Sequence, residues 1–543
     1  VAVDWSYITL KEDSKLVVEY NVGKGKVLAV GAYTYYSMPN NSKEHLQLFT
    51  KNCLNYLAGK FDDQKKYYWN YSPNTVKEFS FEELTNRVSL DSQSAKLMAD
   101  KFSIRQTNGG QVLNSSSTTY QQPNNNLLIT NQFASENYWN VAGERMLVMG
   151  KEKGGIDEIL AHPFMALRDY EVGIQFSYRD SVYWLNDQRP QIEVRPESFT
   201  RIYKFSRAYL TEIVTASNDK PSAVIHYEYR GVYPAKLIIK FKSNMRYMWP
   251  YSEKVFSSLN YALDKHTNSF VIMEESGDHA LFAGANRKPK QQAIGQFFGF
   301  EKKDSTIKGI STSDFMVAAL AQYDLEMNDN MDFVITATNE GLSTTYQEYL
   351  SALNNPQKIF TDASNYYRKV LDQSLMITSP DKDFNEGYKW SLIGTDRFFV
   401  NTPGIGKALV AGYSTTAKGW NGGHKVNGRP GYAWYFGRDA VWSSFALLDY
   451  GDFEKVKSQL QFFNKYQDLN GKIFHELTTS GAVHYDASDA TPLYIILAGK
   501  YLLHSGDIKF IRETWHNIKK AIDFCFSTDT DKDHLIENTN VGH

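Results

Sequence analysis

Cysteine is nearly absent from this chain: Cys53 and Cys525 are the two in 543 residues, and neither is flanked by metal-ligand spacing. That excludes a disulfide scaffold and a cysteine-built zinc module. Charge of one sign is also lacking. Lys and Arg number 59 against 61 Asp and Glu, with no long run of either, so nucleic acid is not an expected partner. No stretch approaches the roughly 18 apolar residues of a membrane-spanning helix. The chain opens at Val1-Ala2-Val3-Asp4 without Met, a basic n-region or an apolar h-region, so its start carries no reading about export. A periplasmic or secreted location is favoured over a cytoplasmic one. Internal repeats are not evident.

Aromatic residues, by contrast, are plentiful, at 14% of the chain with 36 Tyr, 32 Phe and 10 Trp. Sandwich cores account for them most simply, since Tyr and Phe suit half-buried pleated surfaces, although such rings also stack on the apolar faces of ligands. At roughly 100–200 residues per domain the length allows about three units.

Residues 1–62 read as an α/β fragment. Leu16–Tyr20 is strand-like, Gly23-Lys24-Gly25 is a turn, Lys26–Gly31 has the run of a buried strand, and a helix follows from Ser42 to about Leu57. The run resembles the end of a class I glutamine-amidotransferase-like domain. It shows no catalytic Cys–His pair and is assigned no chemistry.

Residues 63–347 carry recurrent alternating runs between polar turns: Glu171–Tyr178, Ala223–Tyr229, Ala235–Phe241, Ser269–Met273 and Phe333–Thr338. This pattern predicts a large antiparallel β-sandwich. Asn108–Asn126, rich in Asn, Gln, Ser and Thr, reads as an exposed excursion. His162, beside Pro163, is read as structural in preference to a sugar contact.

After Gln347 the period changes to that of helices. Leu350 to about Leu375 falls in a helical linker at 348–380, and a helix over Asp383–Val400 opens a last domain at 381–543. There, helical stretches at Ala440–Asp449, Phe453–Tyr466, Thr491–His504 and Asp507–Phe526 alternate with three aromatic-plus-carboxylate loops. These loops are Arg429–Asp439, Gly471–Glu476 and His484–Tyr494. Stacked helical hairpins closed into a ring bring one set of loops to a common rim.

Two carboxyl groups on either side of a glycosidic bond suffice to hydrolyse it, one protonating the leaving oxygen while the other activates water or attacks carbon. Asp439 suits the acid role, where a loop enters a helix beside Arg438, with Trp434, Tyr435 and Phe436 available to line a pocket. Spacing alone favours Asp439 as a helix N-cap with Arg438 as its surface partner.

The ordered segments Asp383-Phe384-Asn385, Thr402-Pro403-Gly404-Ile405-Gly406, Ala433–Asp439, Tyr485–Tyr494 and Ser505-Gly506-Asp507 resemble the C-terminal family of glycogen debranching enzymes, the amylo-α-1,6-glucosidases. The resemblance implies the first half of an (α/α)6 barrel, with Asp439 the general acid of an inverting, exo-acting hydrolase of α-linked oligosaccharides. It implies Asp489 in the sugar pocket, accepting hydrogen bonds from hydroxyls, and Trp434, Arg438, His475, Glu476 and Asp486 as further substrate contacts. Neither metal nor organic cofactor is implied.

A barrel of six hairpins needs about twelve helices, and about half that number fit before His543. The family's general base, a Glu late in the barrel, is expected beyond this chain, so the remaining barrel polypeptide is an expected partner alongside the oligosaccharide or polysaccharide substrate. A same-barrel hydrolase of another glycan and a catalytically inactive glycan-binding protein remain alternatives. Asp529, Asp531 and Asp533 superficially follow a calcium loop, but His534 and Asn540 stand where Gly and Glu belong, and the segment reads as a solvated turn.

Overall fold

The computed structural model describes residues 2–3, 15–30, 43–60, 75–88, 120, 127–248, 258–303, 306–413, 430–479 and 481–537. The polar segment at 108–126, except Tyr120, lies outside these. Two compact units result, one of residues 73–248 with 253–405, the other of residues 1–72, 249–252 and 406–543.

The first unit is a β-sandwich. Its larger sheet has ten strands, running from Val76–Glu78 at one edge through Asp329–Thr338 and Ser222–Gly231 to Ile129–Asn131 at the other. A nine-stranded sheet faces it, centred on Phe164–Phe176, Ala235–Ser243 and Val317–Leu325. Pairing is antiparallel except where Val76–Glu78 runs parallel to Leu259–Asp264. Each of the five alternating runs read from the sequence falls in one of these strands, apart from Ser177 and Tyr178 just beyond Phe176. Between the sheets lies one large apolar core that includes Phe164, Ile174, Tyr227, Leu237, Phe270 and Phe333. His162 is 1% exposed within this unit, and burial and the nearby Arg145 charge hold its imidazole down at about 3, so it stays neutral.

The helical stretch expected over 350–375 is two helices, Leu342–Asn354 and Pro356–Gln373. Pro356 cannot continue the first helix and is well placed to start the second. The first packs on the larger sheet through Tyr346 and Tyr349, whose rings lie tilted and stacked, respectively, against Phe282. Lys382–Arg397 follows, capped by the Asp381 carboxylate, which accepts from the N–H groups of Asp383 and Phe384. It ends before Val400 because Phe399–Thr402 is a strand. This helix buries Leu392 and Ile393, whereas Phe384 is half exposed.

In the second unit, Ala2–Val3, Lys15–Val22 and Gly25–Val30 form an antiparallel sheet with the helix Lys43–Leu57 against the last strand. The buried strand expected at Lys26–Gly31 is a correction. Val27 and Val30 are exposed, since a strand is buried on both faces only when a layer covers each. The C-terminal helices are Gly437–Tyr450, Phe453–Lys465, Ala490–Ser505, Ile508–Glu513 and Trp515–Ser527. Gly451 (φ 97°) and Gly506 (φ 70°) stop two of them in the left-handed conformation, where a side chain would be strained. Their core includes Val441, Leu447, Leu460, Phe463, Tyr494 and Leu497. These five helices, among the described residues, compare with the twelve or so of a closed barrel.

Candidate active site

A small three-stranded antiparallel sheet organises the site. Its strands are Tyr435–Phe436, Glu476–Leu477 and Val483–His484, and it sets Phe436 opposite Glu476 and Glu476 opposite His484. All three aromatic-plus-carboxylate loops therefore meet in one place.

The segment entering the first strand alternates as extended backbone does. Tyr432, Trp434 and Phe436 share one side, with ring centroids 5.4 Å and 5.0 Å apart in succession. Ala433 and Tyr435 take the other side, each 1% exposed. Tyr435, expected to help line the pocket, packs on Phe462 at 4.7 Å on this second side. Tyr432, half exposed, stands at the outer end of the aromatic row.

Trp434 donates its indole N–H to Glu476 Oε2 at 2.8 Å, deep in the unit, both residues being 5% exposed. On the other carboxylate oxygen sits His484 Nδ1, at 3.2 Å. The hydrogen bond to Glu476 is the main cause that raises the His484 imidazole above its ordinary range, against partial burial. His475 lies between these groups in the chain. Its backbone carbonyl accepts from Gly437 N–H and its N–H donates to the His484 carbonyl, while its ring meets Phe436 edge-on at 5.8 Å.

Gly437 explains how the next helix starts so close. A Cβ there would lie 2.3 Å from the Phe474 carbonyl oxygen and 2.8 Å from Ala490 Cβ. The helix cap is Phe436, without a side-chain hydrogen bond, and Asp439 lies in the first turn. The alternative of an Asp439 N-cap is thus not realised. Asp439 and Arg438 are both exposed. Arg438 Nη1 reaches Asp489 Oδ2 at 3.2 Å, which joins the Gly-Arg-Asp loop to the residue capping the helix Ala490–Ser505.

Asp489 Oδ1 and Asp486 Oδ1 are buried and lack a hydrogen-bond partner among the described residues. Such oxygens are costly unless a donor arrives. Nearby, burial lowers the Lys472 ammonium from its usual range, although Asp486 and Asp468 favour its charged form. His484 is the member of this cluster that sequence reasoning missed. The signal was present in the alternation Val483-His484-Tyr485, which places it beside Glu476 only once the strands pair.

The carboxylates of Asp529, Asp531 and Asp533 gather so that their oxygens lie within 4.8 Å of one another. Backbone N–H groups of His534, Asp533 and Leu535 respectively donate to them, as in a self-capped turn. No helix among the described residues is long and apolar enough to cross a membrane.

No family model and no curated protein matches the chain. Solved structures do. A bacterial glucoamylase complexed with acarbose superposes with a TM-score of 0.50 at 14% identity, covering 74% of this chain and 62% of that one. The chain shares that enzyme's fold. A putative kojibiose phosphorylase from the human microbiome superposes equally, with a TM-score of 0.50 at 11% identity, over 72% of this chain and 57% of that one. The chain thus spans less than two thirds of the length of either carbohydrate enzyme.

Proposed function

We propose that this chain is part of a glycoside hydrolase whose sugar pocket is formed by Trp434, Arg438, Glu476, Asp486 and Asp489, with Asp439 as the general acid. The observation that carries the reading is the pair of buried oxygens, Asp486 Oδ1 and Asp489 Oδ1, that lack a hydrogen-bond partner among the described residues, the second on a carboxylate paired with the Arg438 guanidinium. Sugar hydroxyls are donors of the right kind for both. The aromatic row from Tyr432 to Phe436 suits the C–H face of a ring.

The finer assignment follows the debranching-enzyme resemblance. Glucose or a related sugar is released from the end of an α-linked oligosaccharide with inversion. Asp439 protonates the leaving oxygen, and a Glu that the family carries late in its barrel activates water, with a separation of about 6.5–9.5 Å between the carboxyl groups. No residue of this chain is assigned the base. A non-starch glycan as substrate is compatible with the same pocket.

A second reading is a glycan-binding protein without turnover. The exposure of Asp439 favours it, because a general acid ordinarily sits in a pocket that excludes water. Assays of the full-length protein on α-1,4- and α-1,6-linked glucosides separate the two. The hydrolase reading expects Asp439→Asn to lower turnover about 10²- to 10⁴-fold while sugar binding persists. Binding by both proteins with hydrolysis by neither leaves the binding reading standing and removes the hydrolase one.

A further inference from the structure

The sandwich unit carries a groove unrelated to the Asp439 loops. It is a cavity of about 400 Å³ on the outer face of the nine-stranded sheet, within the range of roughly 300–1,000 Å³ typical of small-molecule sites. Strand register builds its floor. Trp184 pairs with Gly173, Gly173 with Ile238, Ile238 with Gln322, and Gln322 with Gln291, so these five residues form one row across the sheet and share a face.

Gly173 makes room for the indole. A Cβ on it would lie 3.1 Å from the Trp184 ring carbons and 2.6 Å from Val182 Cγ1. Lys240 Nζ sits 4.2 Å from the centre of that ring and is itself paired with Glu171 at 2.7 Å, which steadies the aromatic wall. The opposite wall is the hairpin of Phe297–Lys303 and Thr306–Ser311, which contributes Phe300 and Ile307. Phe297 clamps it to the sheet over Gly295 and Gly309, where a side chain would strike the ring. Gln291 Oε1 accepts from Ile307 N–H at 3.2 Å and ties the hairpin down.

One floor group is left over by this construction. Gln322 is 6% exposed, borders the cavity, and its carboxamide makes no hydrogen bond among the described residues. A carboxamide offers donors and an acceptor together, as vicinal hydroxyls require. Ile238, Trp184 and Phe300 supply apolar and aromatic surface for C–H faces. The charges at the rim are of both signs, with Lys236 and Lys302 accompanied by Asp180 and Glu301, which does not select an anion.

We propose that this groove binds a short neutral glycan, separate from the site at Asp439. The inference does not rest on the hydrolase reading. Its test is affinity electrophoresis of the full chain through gels containing glycogen, dextran, yeast α-mannan or xylan. Retardation in at least one gel is expected, with affinity weakened about tenfold or more in Trp184→Ala and in Phe300→Ser and unchanged in Asp439→Asn. Unretarded migration of the wild type in all four gels overturns the proposal. So does retardation that both groove variants retain. Retardation lost in both Trp184→Ala and Phe300→Ser while hydrolysis persists separates the two sites, and failure of hydrolysis in the wild type with retardation intact sinks only the hydrolase reading.

Discussion

Trp434 shows how much one side chain does here. Its ring lies in the aromatic row, and its N–H supports a buried carboxylate that His484 holds from the other side. Hydrogen bonds to charged, buried groups are the stronger kind. Trp434→Phe keeps most of the ring and removes the donor, so it is expected to cost about 1–3 kcal/mol, read as a lowered denaturation midpoint. An unchanged midpoint would show that the Glu476 contact contributes nothing to stability. Asp439, in contrast, is exposed, and its substitution is expected to leave the midpoint alone while changing turnover.

Elements are positioned by close approach as much as by propensity. The helix Gly437–Tyr450 begins against Phe474 and Ala490, with no space for a methyl group at its first residue. Gly437→Ala is therefore expected to destabilise by about 1–3 kcal/mol through overpacking, and to weaken sugar binding because Arg438 and Asp439 ride on that turn. Calorimetry of the variant beside a binding titration checks both. Retained stability and affinity would mean that the helix shifts freely, against the packing described. The Arg438–Asp489 pair itself is half exposed and contributes little to stability, so its role is to orient.

At the scale of the molecule, the sandwich holds a buried titrating network. His226, fully buried, has Asp332 Oδ1 at 2.8 Å from Nδ1 and Glu228 Oε1 at 3.4 Å from Nε2. Tyr120 stacks on its ring at 3.9 Å and donates to Asp332, which also accepts from Asn286. Burial alone would lower the imidazole, but the two carboxylates outweigh it, and the folded value lies above the ordinary 6.5. A raised value means that the folded state binds the proton more tightly than the unfolded chain. The stabilisation is complete below 6.5 and is lost as pH rises through the folded value. The sandwich is expected to melt at lower temperature as pH climbs above neutrality, and His226→Gln is expected to flatten that dependence. A slope unchanged in the variant would assign it to other groups.

Much of this was legible in the order of residues. Alternation over five to ten residues marked the sandwich strands, and the change of period after Gln347 marked the helices, because both patterns are written in short windows. Pro356 as the start of a second helix was passed over. The three aromatic-plus-carboxylate loops stood out by composition, yet their inward and outward faces did not: Tyr435 turns to the core and Trp434 to Glu476. Nor could any window show that Arg438 meets Asp489, that Glu476 meets His484, or that Trp184, Gly173, Ile238, Gln322 and Gln291 form one row across four strand pairings. Local pattern follows from backbone geometry and the burial of one face. Which distant groups touch, and which strands stay uncovered as Val27 and Val30 do, depends on packing between segments far apart in the chain.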